Sequence, residues 1–305
     1  MPDSTGILLI GGYCLVCQLY LPFNQTATRT VGIPDLMLGA SPAVVFVDGY
    51  IMVIGGRDVV SGLAANQVQI IDTLNQNTSM IANLTDARYG HSAVVLQDQV
   101  IVCGGWGDFV VLQNRSPVLD TCEKYSRVTG RWTNIADMPT GRYYHAAAVL
   151  NDNMYVIGGW NGDPHKGGFY NDMIIYKPED NKWHRGPSML HGRSSVAALP
   201  IQGHILACGG FRDYSKVNSA KSEACCEIYS PHTKTWRRLM NLSRERIQPH
   251  LAEYDHRVYL FGAFSYRDDI ISPPEEIDIF KNRSLLLSDH PLPLECVGYN
   301  VISLH

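Results

Sequence analysis

The 305-residue chain is poor in charge: Lys, Arg, Asp and Glu make up 18% of it, and the net charge is −4. That balance supplies no basic footprint for nucleic acid. No Lys or Arg precedes the first apolar run, only Asp3, so the basic start of a secretory leader is missing. Residues 7–23 carry no charge, yet Gly11-Gly12, Gln18 and Pro22 interrupt them, and alignment of the repeats divides them into two strands rather than one membrane span. The eleven His fall at no metal-ligand spacing, and Cys14 with Cys17 has no second pair to complete a tetrahedral zinc site. A phosphate-cradling glycine loop, a nucleophile elbow and a His-Glu-x-x-His pair are all absent. The expectations are therefore no catalytic residues, no metal, no cofactor, no nucleic acid and no membrane.

What the chain does have is a repeat. Six times a short apolar strand runs into a glycine pair: Gly11-Gly12, Gly55-Gly56, Gly104-Gly105, Gly158-Gly159, Gly209-Gly210 and, with one substitution, Gly262-Ala263. The intervals are 44, 49, 54, 51 and 53 residues. A strand-rich period of about 50 residues is the mark of a β-propeller assembled from blades. An Arg stands 16 residues before four of these glycines, at Arg88, Arg142, Arg193 and Arg246. Two β-like runs lie between each Arg and its glycine, and a third ends in an aromatic. In three blades a Trp follows seven residues later: Tyr125/Trp132, Tyr176/Trp183 and Tyr229/Trp236. Each unit thus predicts four antiparallel strands. The Tyr and Trp offer apolar area to the neighbouring blade, and the glycines stand where no side chain fits or where φ is positive.

The order hairpin, Gly-Gly, Tyr, Trp and then Met or Leu resembles the kelch repeat over essentially the whole chain. The resemblance implies an all-β fold, a six-bladed kelch-type β-propeller like the kelch domain of BTB-kelch adaptor proteins, without the BTB domain. The expected blades are 6–35 plus 295–305, 41–84, 90–138, 144–189, 195–242 and 248–289, in one domain of residues 1–305. The chain starts at strand two and finishes in a strand-one-like run, Tyr299 to Leu304, so its two ends are expected to pair and close blade one.

In such a blade the start of strand one and the end of strand two share one end. That brings Arg57, Arg88, Arg142, Arg193 and Arg246 to the same face as Tyr89, Trp106, Tyr143, Trp160 and Phe211, with Tyr13, Tyr144 and Phe264 nearby. Arg, Trp and Tyr dominate binding hot spots, and in similar kelch domains this face binds short, often acidic, peptides, for which Arg offers bidentate hydrogen bonds. The functional reading is a non-enzymatic interaction scaffold holding a protein or peptide, with self-assembly of propellers as a further contact. Two alternatives stay open. A repeated Arg also suits an inter-blade salt bridge or a turn cap. A sugar-processing enzyme of mutarotase type, or a glycan binder, would use Arg142 with Asp163 and stack a sugar ring on Trp106 or Trp160.

The cysteines follow the repeat: Cys17, Cys122 and Cys226 each stand three residues before the third-strand aromatic. Cys103 and Cys208 immediately precede their glycine pairs, so Cys103–Cys122 and Cys208–Cys226 are candidate disulfides across neighbouring strands. Buried reduced thiols point to the cytoplasm. The expected setting is cytoplasmic, with a secreted, extracellular protein as the alternative raised by six N-x-S/T sequons, at Asn24, Asn77, Asn83, Asn114, Asn241 and Asn282.

Overall fold

Short runs of apolar and β-branched residues with every second side chain fully buried, as in Ala43–Val47, Ser92–Leu96 and Ala146–Leu150, form strands rather than helices. A computed structural model of the chain describes residues 6–11, 16–20, 28–32, 39–73, 75, 77–108, 117–163, 168–212, 224–262, 273–287 and 299–304. Before residue 40 and after residue 287, only strand backbones are described. The chain divides into two compact units, residues 1–143 with 298–305, and residues 144–297.

In the first unit, β1 (Gly6–Gly11), β2 (Val16–Tyr20) and β3 (Thr28–Gly32) pair in order. A second sheet holds β4 (Gly39–Ala40), β5 (Ala43–Val47), β6 (Tyr50–Asp58), β7 (Ala64–Asp72) and β8 (Thr78–Met80), with both β4 and β5 on β6. A third holds β9 (Ser92–Leu96), β10 (Gln99–Cys103), β11 (Cys122–Ser126) and β12 (Arg131–Ile135).

The second unit repeats the pattern in three sheets. They are β13 (Ala146–Leu150) to β16 (Lys182–Arg185) through β14 (Asn153–Ile157) and β15 (Met173–Lys177); β17 (Ala197–Ile201) to β20 (Thr235–Asn241) through β18 (His204–Cys208) and β19 (Cys225–Ser230); and β21 (His250–Tyr254) to β24 (Arg283–Leu286) through β22 (Arg257–Phe261) and β23 (Glu275–Asp278). The last strand, β25 (Tyr299–Leu304), belongs to the first unit and pairs antiparallel with β1, from Gly6 opposite Leu304 to Gly11 opposite Tyr299.

Five of these sheets are described as blades, with backbone and side chains together. The expectation of six full blades therefore narrows to five described blades and one further sheet, β25-β1-β2-β3, whose side chains lie outside the described residues.

Blades within a unit pack through the predicted aromatics. Tyr125–Trp132, Tyr176–Trp183 and Tyr229–Trp236 repeat one geometry, with ring centroids 5.2, 5.3 and 5.4 Å apart. Trp132 donates its indole N–H to Ala82 O at 2.8 Å and Trp236 to Pro187 O at 3.1 Å, in each case a carbonyl just ahead of the blade. Trp236 also joins Tyr155, Ile205 and Tyr229 in an apolar cluster between the β13–β16 and β17–β20 blades. Burying one such side chain stabilises by about 2–3 kcal/mol.

The glycine pairs are a second seam. The second glycine donates its N–H to the carbonyl of the next blade's Arg: Gly56 to Arg88 and Gly159 to Arg193, both at 2.9 Å, and Gly210 to Arg246 at 2.8 Å. So close an approach leaves no room for a side chain. A Cβ at Gly158 would lie 2.5 Å from Arg193 O, and one at Gly210 2.7 Å from Ser194 O, with φ of +65° and +103°. A third seam was not read from the sequence. The residue two after each Arg takes positive φ (Gly90, Tyr144, Ser195, Gln248), and its N–H reaches back to the preceding blade: Gly90 to Ser41 O at 3.0 Å, Ser195 to Tyr144 O at 2.6 Å.

Candidate functional site

The repeated arginines turn inward. Arg88, Arg142, Arg193 and Arg246 are all 0% exposed. Arg88 donates to Gly104 O at 2.8 Å, Thr121 O at 3.0 Å and Glu123 Oε1 at 3.0 Å. Arg193 donates to Gly209 O at 3.1 Å, Cys225 O at 2.8 Å and Glu227 Oε1 at 2.6 Å. Arg246 donates to Gly262 O at 3.0 Å, Pro273 O at 2.7 Å and Glu275 Oε1 at 2.6 Å. The second carboxylate oxygen of each Glu is also occupied, accepting from Thr85 N, Leu190 N and Ser243 N at 2.9, 2.8 and 2.9 Å.

Each guanidinium therefore clamps its own blade's first glycine carbonyl to the start of strand three. This corrects the expected site: all four arginines are buried, so a partner on the surface has no access to them, and Arg88, Arg193 and Arg246 staple their blades. Arg142 likewise leaves the mutarotase reading, which needs it facing a funnel. The missing signal was Glu123, Glu227 and Glu275, each at the same place in its third strand. Read together with the Arg spacing, a repeated Arg and a repeated Glu mark a buried ion pair. In the β13–β16 blade that place holds Ile174, opposite Val156. His91 and His145, three residues after Arg88 and Arg142, are buried too, at 7% and 6% exposure.

The remaining predicted residues divide between the units. In the first, Arg57 is the last residue but one of the long strand β6 and is exposed. Its guanidinium carbon lies 5.7 Å from the Tyr89 ring centroid, a cation–π contact. Tyr89 and Trp106 exchange backbone hydrogen bonds of 3.0 and 2.8 Å, and Trp106 sets its edge on Tyr143 at 5.1 Å. Tyr89 and Trp106 are half-buried; Tyr143 is buried.

Beside this row stands the β6–β7 turn. Asp58 Oδ1 accepts from Val60 N, Ser61 N and Ser61 Oγ at 3.1, 2.6 and 2.8 Å, bonds that hold the Asp58 carboxyl below its usual range, with Ser61 the main cause. Arg57 Nε donates to Gly62 O at 2.8 Å, while its two terminal amino groups have no partner among the described residues. Asp108, from the neighbouring blade, accepts the N–H of Ala64 at 3.1 Å. The tip held this firmly exposes Val59, Val60 and Leu63, at 57%, 93% and 55%.

In the second unit, Trp160 stacks on Phe169 at 5.9 Å and 13°, and Phe169 meets Phe211 edge-on at 5.9 Å. Phe211 is buried at 3%. One indole face of Trp160, where a sugar ring would stack, is thus already covered. Tyr13 and Phe264 lie outside the described residues, as do parts of the long loops 106–120, 160–171 and 211–224.

Cys103–Cys122 and Cys208–Cys226 are disulfides, each with Cα atoms 4.2 Å apart and directly opposite in register. That separation is the narrow, non-hydrogen-bonded kind of antiparallel pair. Cys225 is a buried free thiol. No helix among the described residues is long and apolar enough to cross a membrane.

Four-stranded antiparallel blades, stapled at glycine pairs and presenting loops at one end, define a kelch-type β-propeller. The KLHDC2/KLHL20/DRC7 Kelch-repeats domain matches residues 41–267, and the chain belongs to the kelch-repeat family. It is similar to Kelch-like protein 36 of Rattus norvegicus, at 24% identity over 227 residues, 73% of this chain and 36% of that protein. It is also similar to Kelch-like protein 25 of Xenopus tropicalis, at 24% over 275 residues (86% and 44%), and to human Kelch-like protein 23, at 24% over 309 residues (98% and 52%). The chain thus spans about a third to about half the length of these relatives. The solved structure of YjhT shares the fold, with a TM-score of 0.71 at 13% identity, covering 94% of this chain and 98% of that one.

Proposed function

We propose that this protein is a non-enzymatic interaction scaffold that holds a partner segment on the loop end of the first unit, at Arg57, Tyr89, Trp106 and the β6–β7 tip. The observation that carries the reading is the tip itself. A turn fixed by hydrogen bonds from Val60, Ser61 and Arg57, and buttressed by Asp108, nevertheless leaves three aliphatic side chains in water. Turns of this kind are ordinarily polar, and a rigid apolar loop beside an exposed guanidinium and an indole is a prepared contact surface. It fits a peptide that offers an apolar side chain to Val60 and Leu63 and a carboxylate to Arg57.

The partner is to be identified by capture from the native source, and its affinity then measured by titration. Arg57→Ala or Trp106→Ala should each weaken binding by about 2 kcal/mol, roughly 30-fold, measured well below each variant's melting temperature so that lost packing is read apart from lost binding. Val60→Asp should abolish binding of an acidic segment. Unchanged affinity in all three variants would move the site elsewhere.

A further inference from the structure

The β21–β24 blade departs from the aromatic packing of its neighbours. In three other blades a third-strand Tyr stands directly opposite a fourth-strand Trp: Tyr125 with Trp132, Tyr176 with Trp183 and Tyr229 with Trp236. Here Ile277 stands opposite Ser284. Strand two fixes the equivalence, since Val100, Met154, Ile205 and Val258 face Tyr125, Tyr176, Tyr229 and Ile277 in turn. Where the pair is present, it shares an apolar cluster with the last residue of the preceding blade's first strand. Val47 joins Tyr125 and Trp132 in this way, and Leu150 joins Tyr229 and Trp236. The corresponding cluster of the β21–β24 blade holds Ile201 and Ile277, and no ring among the described residues.

A groove of about 390 Å³ opens at that point, with Ile201 and Ile277 in its walls. Protein interiors are close-packed, so two aromatic side chains replaced by Ile and Ser leave the volume of their rings open. The β23–β24 turn forms the rim, and it carries a second departure. The two preceding blades have Glu179 and His232 at the matching turn position, whereas this blade has Phe280, 77% exposed. The turn is firm: Asp278 Oδ1 accepts from Phe280 N at 3.2 Å and Lys281 N at 3.0 Å. The groove's cations, Arg257, Lys281 and Arg283, outnumber its carboxylates three to two. Both carboxylates are engaged, Asp278 by the turn and Glu276 by Arg257 at 3.3 Å. Lys281 and Arg283 stay 65% and 66% exposed, with donors to spare for an incoming acid.

We propose that this groove is a docking site for a protein partner, which fills it with a Trp side chain carried between acidic residues. The indole takes the space that Tyr and Trp occupy in the other blades and rests on Ile201 and Ile277. Phe280 meets it as the second ring of an aromatic pair. Carboxylates on either side of the Trp meet Lys281 and Arg283, whose guanidinium fork suits them. The volume is that of an ordinary ligand pocket, mostly apolar at its floor with a few polar groups to fix orientation. The site lies at the hairpin-turn end of its blade and draws on none of the residues assigned to the first surface.

The probe is a fluorescein-labelled peptide, Glu-Asp-Trp-Glu-Asp, titrated with the full chain and read by fluorescence anisotropy beside the same peptide with Ala in place of Trp. The Trp peptide should saturate with a Kd below about 1 mM, and the Ala peptide should not. Phe280→Ser and Lys281→Glu, both at exposed positions, should each weaken binding about fivefold. Ile277→Tyr combined with Ser284→Trp restores the pair of the other blades; it should abolish binding and melt no lower than the wild type. Arg57→Ala, at the first surface, should bind the probe unchanged. A Trp peptide that does not saturate, equal binding of the two peptides, or wild-type affinity in Phe280→Ser overturns the proposal. Binding lost in Arg57→Ala and kept in the refilled double variant also overturns it, and assigns the peptide to the first surface. If the double variant does not fold, Phe280→Ser and Lys281→Glu decide the matter.

Discussion

Replacing Arg193 by Ala tests the buried staples directly. The change removes a fully buried guanidinium that reaches Gly209 O, Cys225 O and Glu227 at 3.1, 2.8 and 2.6 Å. Glu227, also 0% exposed, keeps one donor, the Leu190 N–H at 2.8 Å. The variant therefore leaves a buried carboxylate without its counter-charge and takes one donor from each of two carbonyls, Cys225 O keeping only the Gly209 N–H at 3.3 Å. Breaking a buried pair by removing one partner costs about 3–5 kcal/mol. At about 2–3 °C per kcal/mol for a large domain, the melting temperature should fall by about 6–15 °C. Because the pair is shielded from solvent, the loss should change little between low and high salt, unlike a surface pair. Removing both charges with Arg193→Met and Glu227→Leu should recover part of the loss, since no lone charge then remains. Urea unfolding followed by tryptophan fluorescence, with the slope checked for constancy, reads all three proteins. A loss below about 1 kcal/mol for Arg193→Ala would refute the buried-staple reasoning.

Burial pushes His250 down to about 4 from its ordinary 6.5, although its edge keeps some solvent contact. The unfolded chain then binds more protons between these values, so stability should be full above about pH 6.5 and fall by at most about 3 kcal/mol as pH drops toward 4. His250→Gln should flatten that window in urea titrations run at stepped pH. Reducing both disulfides, which close loops with sequence separations of 19 and 18, should cost about 3 kcal/mol for each, read as a drop in urea midpoint on adding reductant. Trp236→Phe, which loses the bond to Pro187 O, should cost about 1–2 kcal/mol by the same assay. Deleting 299–305 strips β1 of its neighbour β25, and amide hydrogen exchange across Gly6–Gly11 should then rise by at least about tenfold.

The strands, their antiparallel order and the Tyr/Trp packing were readable from spacing alone, because each is a local property repeated in every blade. The cross-strand cysteines were readable as candidates for the same reason: register along a hairpin is set by sequence distance. What spacing conveys is where a residue stands, not which way its side chain turns. Arg88, Arg193 and Arg246 were expected on a binding face, with a salt bridge or turn cap left open, and the structure buries them. Their direction depends on Glu123, Glu227 and Glu275, some 30 residues later, and on glycine carbonyls that only the folded blade brings within reach. The apolar tip beside Arg57, Tyr89 and Trp106 was not read from the sequence for a related reason. Spacing shows neither the Asp58–Ser61 hydrogen bond nor the bond from Arg57 to Gly62 O, and these hold the turn that keeps Val60 and Leu63 in water. Sequence by itself determined the repeat and the hairpin registers; tertiary structure decided which charges are buried and which apolar groups are displayed, because burial depends on neighbours that are distant in the chain.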